Sequence, residues 1–259
     1  MPSNDLARKL IVEFIGPFAL TFFGVGAIIM TGGNNIVAIA LAHGLALGLM
    51  IQATGHISGG HFNPAITIAM WITKRINPAT AVSYIVAQLA GALAAAGALT
   101  LTFRDIERNA TGINLGVPAV GANLSASNAF IMEMILTFFL CYVIFGVAID
   151  RRSSKAIYGL AIGLTISMDI FAGGGVSGAA MNPSRWFGVA VVQGDFTDAW
   201  IWIVGPIIGA AAAALLYTYV LLPDLATDPV DEEVRVEDLD VRTPNPVAQR
   251  SRRAVRRGR

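Results

Sequence analysis

The chain has 259 residues, 55% of them hydrophobic and only 14% charged, with a formal net charge of +1. Soluble domains carry about 25% charged residues, and here 16 of the 35 Asp, Glu, Lys and Arg residues fall within 223–259. Residues 1–222 are therefore too apolar to coat a water-soluble globule. A disordered chain is excluded, and the charge balance gives no reason to expect nucleic acid.

In chain order, the N-terminal MPSNDLARKL runs into a long apolar segment with no small-residue cleavage site. That segment reads as a retained span and not as a signal peptide. Crossing a hydrocarbon core of about 30 Å takes about 20 apolar residues. Six segments qualify, at about 10–31, 36–55, 79–102, 128–149, 156–173 and 198–222. Two further apolar pieces, 63–72 and 182–192, have about half that length. At about 1.5 Å per residue they reach about 15 Å, and half-length pieces in corresponding places point to re-entrant helices. Arg8, Lys9, Lys74, Arg75, Arg151, Arg152, Lys155 and the Arg-rich tail share one side of a six-span arrangement, so both termini are predicted cytoplasmic. The 103–127 segment, with Arg104, Asp105, Glu107 and Arg108, reads as an external connector. The 223–259 tail, acidic and then basic, reads as a disordered cytoplasmic region. The single cysteine, Cys141, excludes an intrachain disulfide and reads as a lipid-facing or packing thiol.

An internal repeat sets the architecture. A shift of 119 places Ile57-Ser58-Gly59 on Val176-Ser177-Gly178 and Asn63-Pro64 on Asn182-Pro183. Nearby shifts place Glu13 on Glu133, and Gln88–Gly91 on Pro206–Gly209. Each half has three full spans and one half-span. Three is odd, so the second half enters the membrane from the opposite face and the repeats are inverted. The expected fold is an all-α membrane protein with six transmembrane helices and two re-entrant half-helices. A channel domain would occupy 1–222, with repeat one at about 8–102 and repeat two at about 128–222.

The chemistry follows from the two motifs Asn63-Pro64-Ala65 and Asn182-Pro183-Ser184. Asn is a good N-cap and Pro suits the first helical position, so one copy marks only a helix start. Two copies on inverted half-helices bring two helix N-termini together near the midplane, each carrying about half a positive charge. Each Asn caps through its carbonyl oxygen and keeps NH₂ donors for the lumen. The non-helical stretches before them, Gly59, Gly60, His61 and Phe62, and Gly178, Ala180 and Met181, are candidate pore-lining backbone with carbonyl acceptors. Such backbone is tolerated at membrane depth only where it lines a wet cavity. A narrow tube of this kind trades hydrogen bonds with water or another small neutral molecule, opposes cations, and interrupts a proton wire.

These motifs, together with Arg185 three residues after the second Asn, Glu13 and Glu133, and Gly205-Pro206, resemble the aquaporin (major intrinsic protein) family across about residues 8–222. HISGGHFNPAIT, FAGGGVSGAAMNPSRWFG and GDFTDAWIWIVGP are similar to plant tonoplast intrinsic proteins and archaeal aquaporins. The resemblance implies an aquaporin-like fold, a cell-membrane homotetramer with one pore per subunit, a lipid bilayer as partner, and no cofactor. It implies passage of water and small neutral solutes, with ammonia, hydrogen peroxide and urea as further permeants. It also gives Glu13 and Glu133 a structural role, holding the non-helical loops. The family's outer selectivity filter maps by spacing from the two Asn residues onto His43, Ile170, Ala179 and Arg185.

Departures from the family pattern refine the expectation. His43 with Ile170, in place of the Phe and His of strict water channels, implies a wider and less polar ring. Trp186 replaces a small residue and is assigned to lipid, a neighbouring subunit or the vestibule. Trp186 and Ala190 stand where glycerol channels carry an acid and a base, which argues against the alternative of a glycerol facilitator. A coupled secondary transporter would need an ion site, and an enzyme would need a nucleophile–base set that is absent. Asp169 is either a supporting or interfacial acid, or one that orients His43 or Arg185. His56 and His61 are too few for a metal site, so no metal is expected. Ala179 stands where mercury-sensitive members carry Cys, so weak mercurial block is expected.

Overall fold

The computed structural model describes residues 3–103 and 115–222. Arg104, Asp105, Glu107 and Arg108 and the 223–259 tail, with the roles expected for them, lie outside the described residues. Among the described residues, eight α-helices run in order: α1 Ser3–Thr31, α2 Ile36–Ser58, α3 Pro64–Ile72, α4 Pro78–Thr102, α5 Ala126–Ile144, α6 Tyr158–Ser177, α7 Pro183–Gln193 and α8 Trp200–Leu216. Short π-helical turns, Phe145–Ile149 and Tyr217–Leu221, extend α5 and α8. Six helices are long and apolar enough to cross a membrane, and α3 and α7 are the two half-length ones.

Local chemistry sets the helix ends. Asn35 caps α2, accepting from the Ala38 N–H at 3.0 Å. Asn77-Pro78 starts α4, with the Thr80 N–H donating to Asn77 Oδ1 at 2.9 Å. This third Asn-Pro is a plain helix start. Ser125 and Asn128 form a capping box at α5. Gly59 and Gly178 end α2 and α6 in the left-handed region, at φ 92° and 76°. Both helices run past the predicted limits of 55 and 173. The Gly173-Gly174-Gly175 run does not break α6, because a Cβ at Gly173 would overlap Leu136 of α5, so the helix continues as a close-packed face.

The packing is a pseudo-twofold arrangement of helices 1–4 on helices 5–8. α1 packs on α2 and α4, as α5 does on α6 and α8, and α2 packs on α6 across the centre. The half-helices are exchanged: α3 packs chiefly on α8, and α7 on α4. The contact atoms repeat the symmetry. A Cβ on Gly44 would overlap the carbonyl of Gly163, and one on Gly163 that of Gly44. A Cβ on Gly91 would overlap the Phe14 carbonyl, and one on Gly209 that of Met134. Backbones meet this closely only where no side chain intervenes. Large apolar side chains such as Leu45, Leu49, Phe139, Leu164 and Phe171 are exposed on the outside, a surface suited to lipid.

Candidate functional site

The site is built where the two half-helices begin. Asn63 caps α3, its Oδ1 accepting from the Ala65 N–H at 2.9 Å. Asn182 caps α7, its Oδ1 accepting from the Ser184 N–H at 3.0 Å, the Ser184 hydroxyl at 2.7 Å and the Arg185 N–H at 3.4 Å. Ser184, where the first motif has Ala65, thus adds a bond to its own cap. Pro64 and Pro183 occupy the first helical turn, and their missing N–H costs nothing there. One proton of each amide then crosses between repeats. Asn63 Nδ2 donates to the Met181 carbonyl at 2.8 Å, and Asn182 Nδ2 donates to the Phe62 carbonyl at 2.9 Å. Each NH₂ keeps one further proton.

The stretches leading to each Asn are non-helical, with Gly60, Phe62, Ala179 and Met181 at φ 63°, 50°, 45° and 52°. Left-handed backbone costs a non-glycine residue about 1–2 kcal/mol. Two buried carboxylates offset that cost. Glu13 Oε1 accepts from the Ser58 hydroxyl at 2.6 Å and the His61 N–H at 3.0 Å, while Oε2 accepts from the Phe62 N–H at 2.8 Å and Gln88 Nε2 at 2.7 Å. Glu133 repeats this with the Ser177 hydroxyl at 2.7 Å and the N–H groups of Ala180 and Met181 at 2.9 and 2.7 Å. The carbonyl ending each preceding helix is held as well, Ser58 by the Tyr84 hydroxyl at 2.8 Å and Ser177 by the Trp202 indole at 2.9 Å. Among the described residues, no hydrogen bond ends on the carbonyls of Gly59, Gly60, His61, Gly178, Ala179 or Ala180.

One cavity is lined by His43, Asn63, Ile170, Ala179, Ala180, Met181, Asn182 and Arg185, with Leu20, Leu47, Leu140 and Ile166. All four positions counted out from the motifs therefore share a cavity with both asparagines. His43 Nδ1 lies 2.8 Å from the Ile39 carbonyl. A carbonyl only accepts, so Nδ1 carries a proton and a neutral ring leaves Nε2 as an acceptor. Nε2 is buried with no partner. Arg185 is 3% exposed, and its Nη1 donates to the Gly116 carbonyl at 3.0 Å. Gly116 belongs to the segment read as an external connector. Its described part packs onto the bundle: Leu115 and Val117 are buried, the Leu115 N–H donates to Gln193 Oε1 at 2.9 Å, and the Gly121 N–H donates to the Val176 carbonyl at 2.9 Å. The small residues Gly116 and Gly121 were the available signal for that close approach.

The family model described as "Major intrinsic protein" matches residues 1–217. The chain belongs to the major intrinsic protein family.

Among its relatives, "Nodulin-26" of Glycine max is 40% identical over 226 residues, covering 86% of this chain and 81% of that protein. "Aquaporin NIP3-1" of Arabidopsis thaliana is 42% identical over 226 residues, covering 85% and 69%. "Aquaporin-4" of Mus musculus is 40% identical over 225 residues, covering 84% and 68%. Among solved structures, "X-ray structure of the aquaglyceroporin from Plasmodium falciparum" aligns with TM-score 0.78 at 27% identity, covering 85% of this chain and 98% of that one. As a major intrinsic protein the chain is a multi-pass membrane channel for water and small solutes and not an enzyme.

Trp186 faces neither lipid nor a vestibule. It is 3% exposed, stacked on Trp202 with ring centroids 6.4 Å apart and planes 9° apart, and edge-on to Phe196 at 6.2 Å. A bulky ring one residue beyond Arg185 fits because it points into the bundle, away from the cavity lining. Asp169 is 2% exposed and makes no bond to His43 or Arg185, and its Oδ2 has no partner among the described residues. Of the two readings given for Asp169, the one in which it orients His43 or Arg185 has no contact behind it. His61 turns its ring inward, edge-on to Tyr84 at 5.3 Å, with Nδ1 3.3 Å from Thr67 Oγ1, while His56 is exposed. Cys141 is fully buried, a packing thiol and not a lipid-facing one.

Proposed function

We propose that water and small neutral solutes permeate this channel through the cavity between His43 and the crossed amides of Asn63 and Asn182, and that protons and other ions are excluded there. The observation that carries the reading is the reciprocal bonding of each Asn to the other repeat. It fixes two donors at one level, beside two helix N-termini with partial positive charge, so a passing water donates to neither and a cation is repelled.

His43, Ile170, Ala179 and Arg185 form the selective ring in this reading. The Arg185 guanidinium supplies fixed donors, and the His43 ring, Ile170 and Ala179 supply the walls. The free carbonyls of Gly59, Gly60, His61 and Gly178, Ala179, Ala180 provide acceptors on either side. An aliphatic Ile170 favours passage of ammonia, hydrogen peroxide and urea beside water. The tonoplast-type and archaeal likeness rests on the three motif stretches and the filter composition; nodulin-26, the NIP-type aquaporin and aquaporin-4 lend it no support. Trp186 and Ala190 argue against a dedicated glycerol path. Family membership supports a homotetramer in the cell membrane, and the Lys/Arg distribution supports cytoplasmic termini.

The test is a permeability panel in liposomes for water, ammonia, urea and glycerol. Replacing His43→Phe together with Ile170→His is expected to keep water flux and to lower ammonia and urea flux. Unchanged flux of both solutes would overturn the filter assignment.

A further inference from the structure

We propose that Gly24 of α1 is a specificity-determining residue, because it is the seat that holds the His43 ring back from the passage. The proposal rests on the reading of His43 as part of the selective ring. On α1, Gly16, Leu20 and Gly24 recur at intervals of four and so share one helix face. Leu20 lines the cavity with His43. One turn further on, a Cβ on Gly24 would overlap the imidazole at Cδ2, Nε2 and Cγ. The ring therefore lies against bare backbone, in the space a side chain would take.

The His43 ring is also tethered. Its Nδ1 is tied to the Ile39 carbonyl at 2.8 Å on its own helix. Both Gly24 and His43 are buried. Any side chain on Gly24 pushes the ring toward Ile170, Ala179 and Arg185, which line the same cavity. About two turns earlier the same device recurs, where a Cβ on Gly16 would overlap the ring of Phe62, the residue whose carbonyl receives Asn182. A histidine at position 43 thus leaves room for solutes only beside a glycine at position 24.

The experiment uses the full chain in proteoliposomes. Water and urea flux per reconstituted channel are measured for Gly24→Ala, His43→Ala, the double variant and Gly26→Ala. Gly26→Ala is the control for folding and helix propensity, since its Cβ would meet its nearest neighbours only at 3.8 Å. Alanine is the better helix former at both sites. Gly24→Ala is expected to lower water flux by about tenfold and urea flux further, since overpacking displaces the side chains around the added group. Gly26→Ala should match the parent. In the His43→Ala background, adding Gly24→Ala should change neither flux. Parental flux in Gly24→Ala, or an equal loss with and without His43, would overturn the proposal. If His43→Ala leaves urea flux at the parental level while Gly24→Ala still inhibits, the filter reading of His43 fails and the seat at Gly24 stands.

Discussion

The two repeats solve one geometrical problem with different side chains. Each must hold a left-handed loop ahead of a half-helix, and each uses one buried glutamate, one serine and one aromatic donor from the last full helix of its repeat: Glu13, Ser58 and Tyr84, against Glu133, Ser177 and Trp202. They diverge around that common frame. In repeat one Gln88 donates to Glu13 and to Thr67 Oγ1, at 2.7 and 2.9 Å. In repeat two the matching positions are Pro206 and Trp186, and the polar bridge becomes an indole stacked on Trp202. Repeat one also seats the aromatic rings of Phe62 and His43 on Gly16 and Gly24, where the matching positions of α5 carry Leu136 and Ile144. Symmetry therefore fixes the backbone, while the fill around it is free to vary between polar and apolar.

The largest test of that comparison is removal of the two carboxylates. Glu13→Ala strands four donors and Glu133→Ala three. At about 1–3 kcal/mol for each unsatisfied buried group, both should unfold well below the parent in detergent thermal melts, Glu13→Ala lower. The reverse order would break the claim that repeat one depends more on its polar network. Trp186→Ala should come next, costing about 3–5 kcal/mol as a buried aromatic truncation, against about 1 kcal/mol for Thr67→Ala at the matching place; equal melting shifts would contradict the apolar–polar exchange. Gln88→Leu should cost about 2 kcal/mol, from one charge-assisted and one neutral bond, read in the same melts.

The smallest effect lies at the ends of the first helix of each repeat. α1 closes on a glycine turn, with the Gly33 N–H donating to the Ile28 carbonyl at 2.9 Å. After α5, Lys155 Nζ donates to the carbonyls of Val147, Ala148 and Asp150 at 3.0, 3.0 and 2.8 Å, and Arg152 pairs with Asp150 at 3.0 Å. Hydrogen bonds from Arg152 hold the Asp150 carboxyl below its ordinary value near 3.8. A depressed carboxyl contributes stability above its unfolded pKa and loses it as pH falls through the folded one. The melting difference between the parent and Asp150→Asn should thus be constant between about pH 5 and 7 and close only below about pH 4. A difference that varies between about pH 5 and 7 would contradict this pairing.

Much of this was legible because helices are rigid rulers. Counting from Asn63 and Asn182 brought His43, Ile170, Ala179 and Arg185 to one cavity, since no gap interrupts α2 or α6 between those positions. The glutamates were legible as buried charges that need partners. Gly116 was not, because the loop around it has no periodicity from which to place its carbonyl. The ends of α2 and α6 were set short, because the limits followed the apolar stretches and the helices run on through His56-Ile57-Ser58 and Gly174–Ser177. Trp186 was assigned outward because an aromatic in an apolar helix has no sequence mark distinguishing a lipid face from a ring stack.

The central claim is that one narrow passage between crossed asparagine amides carries water and no charge. Stopped-flow osmotic shrinkage of proteoliposomes at several temperatures, with an internal pH dye recording proton entry in the same vesicles, tests it most directly. The account predicts water flux well above that of protein-free vesicles, with a weak temperature dependence and no added proton leak. Osmotic flux equal to lipid alone, or water flux accompanied by collapse of a pH gradient, would contradict it.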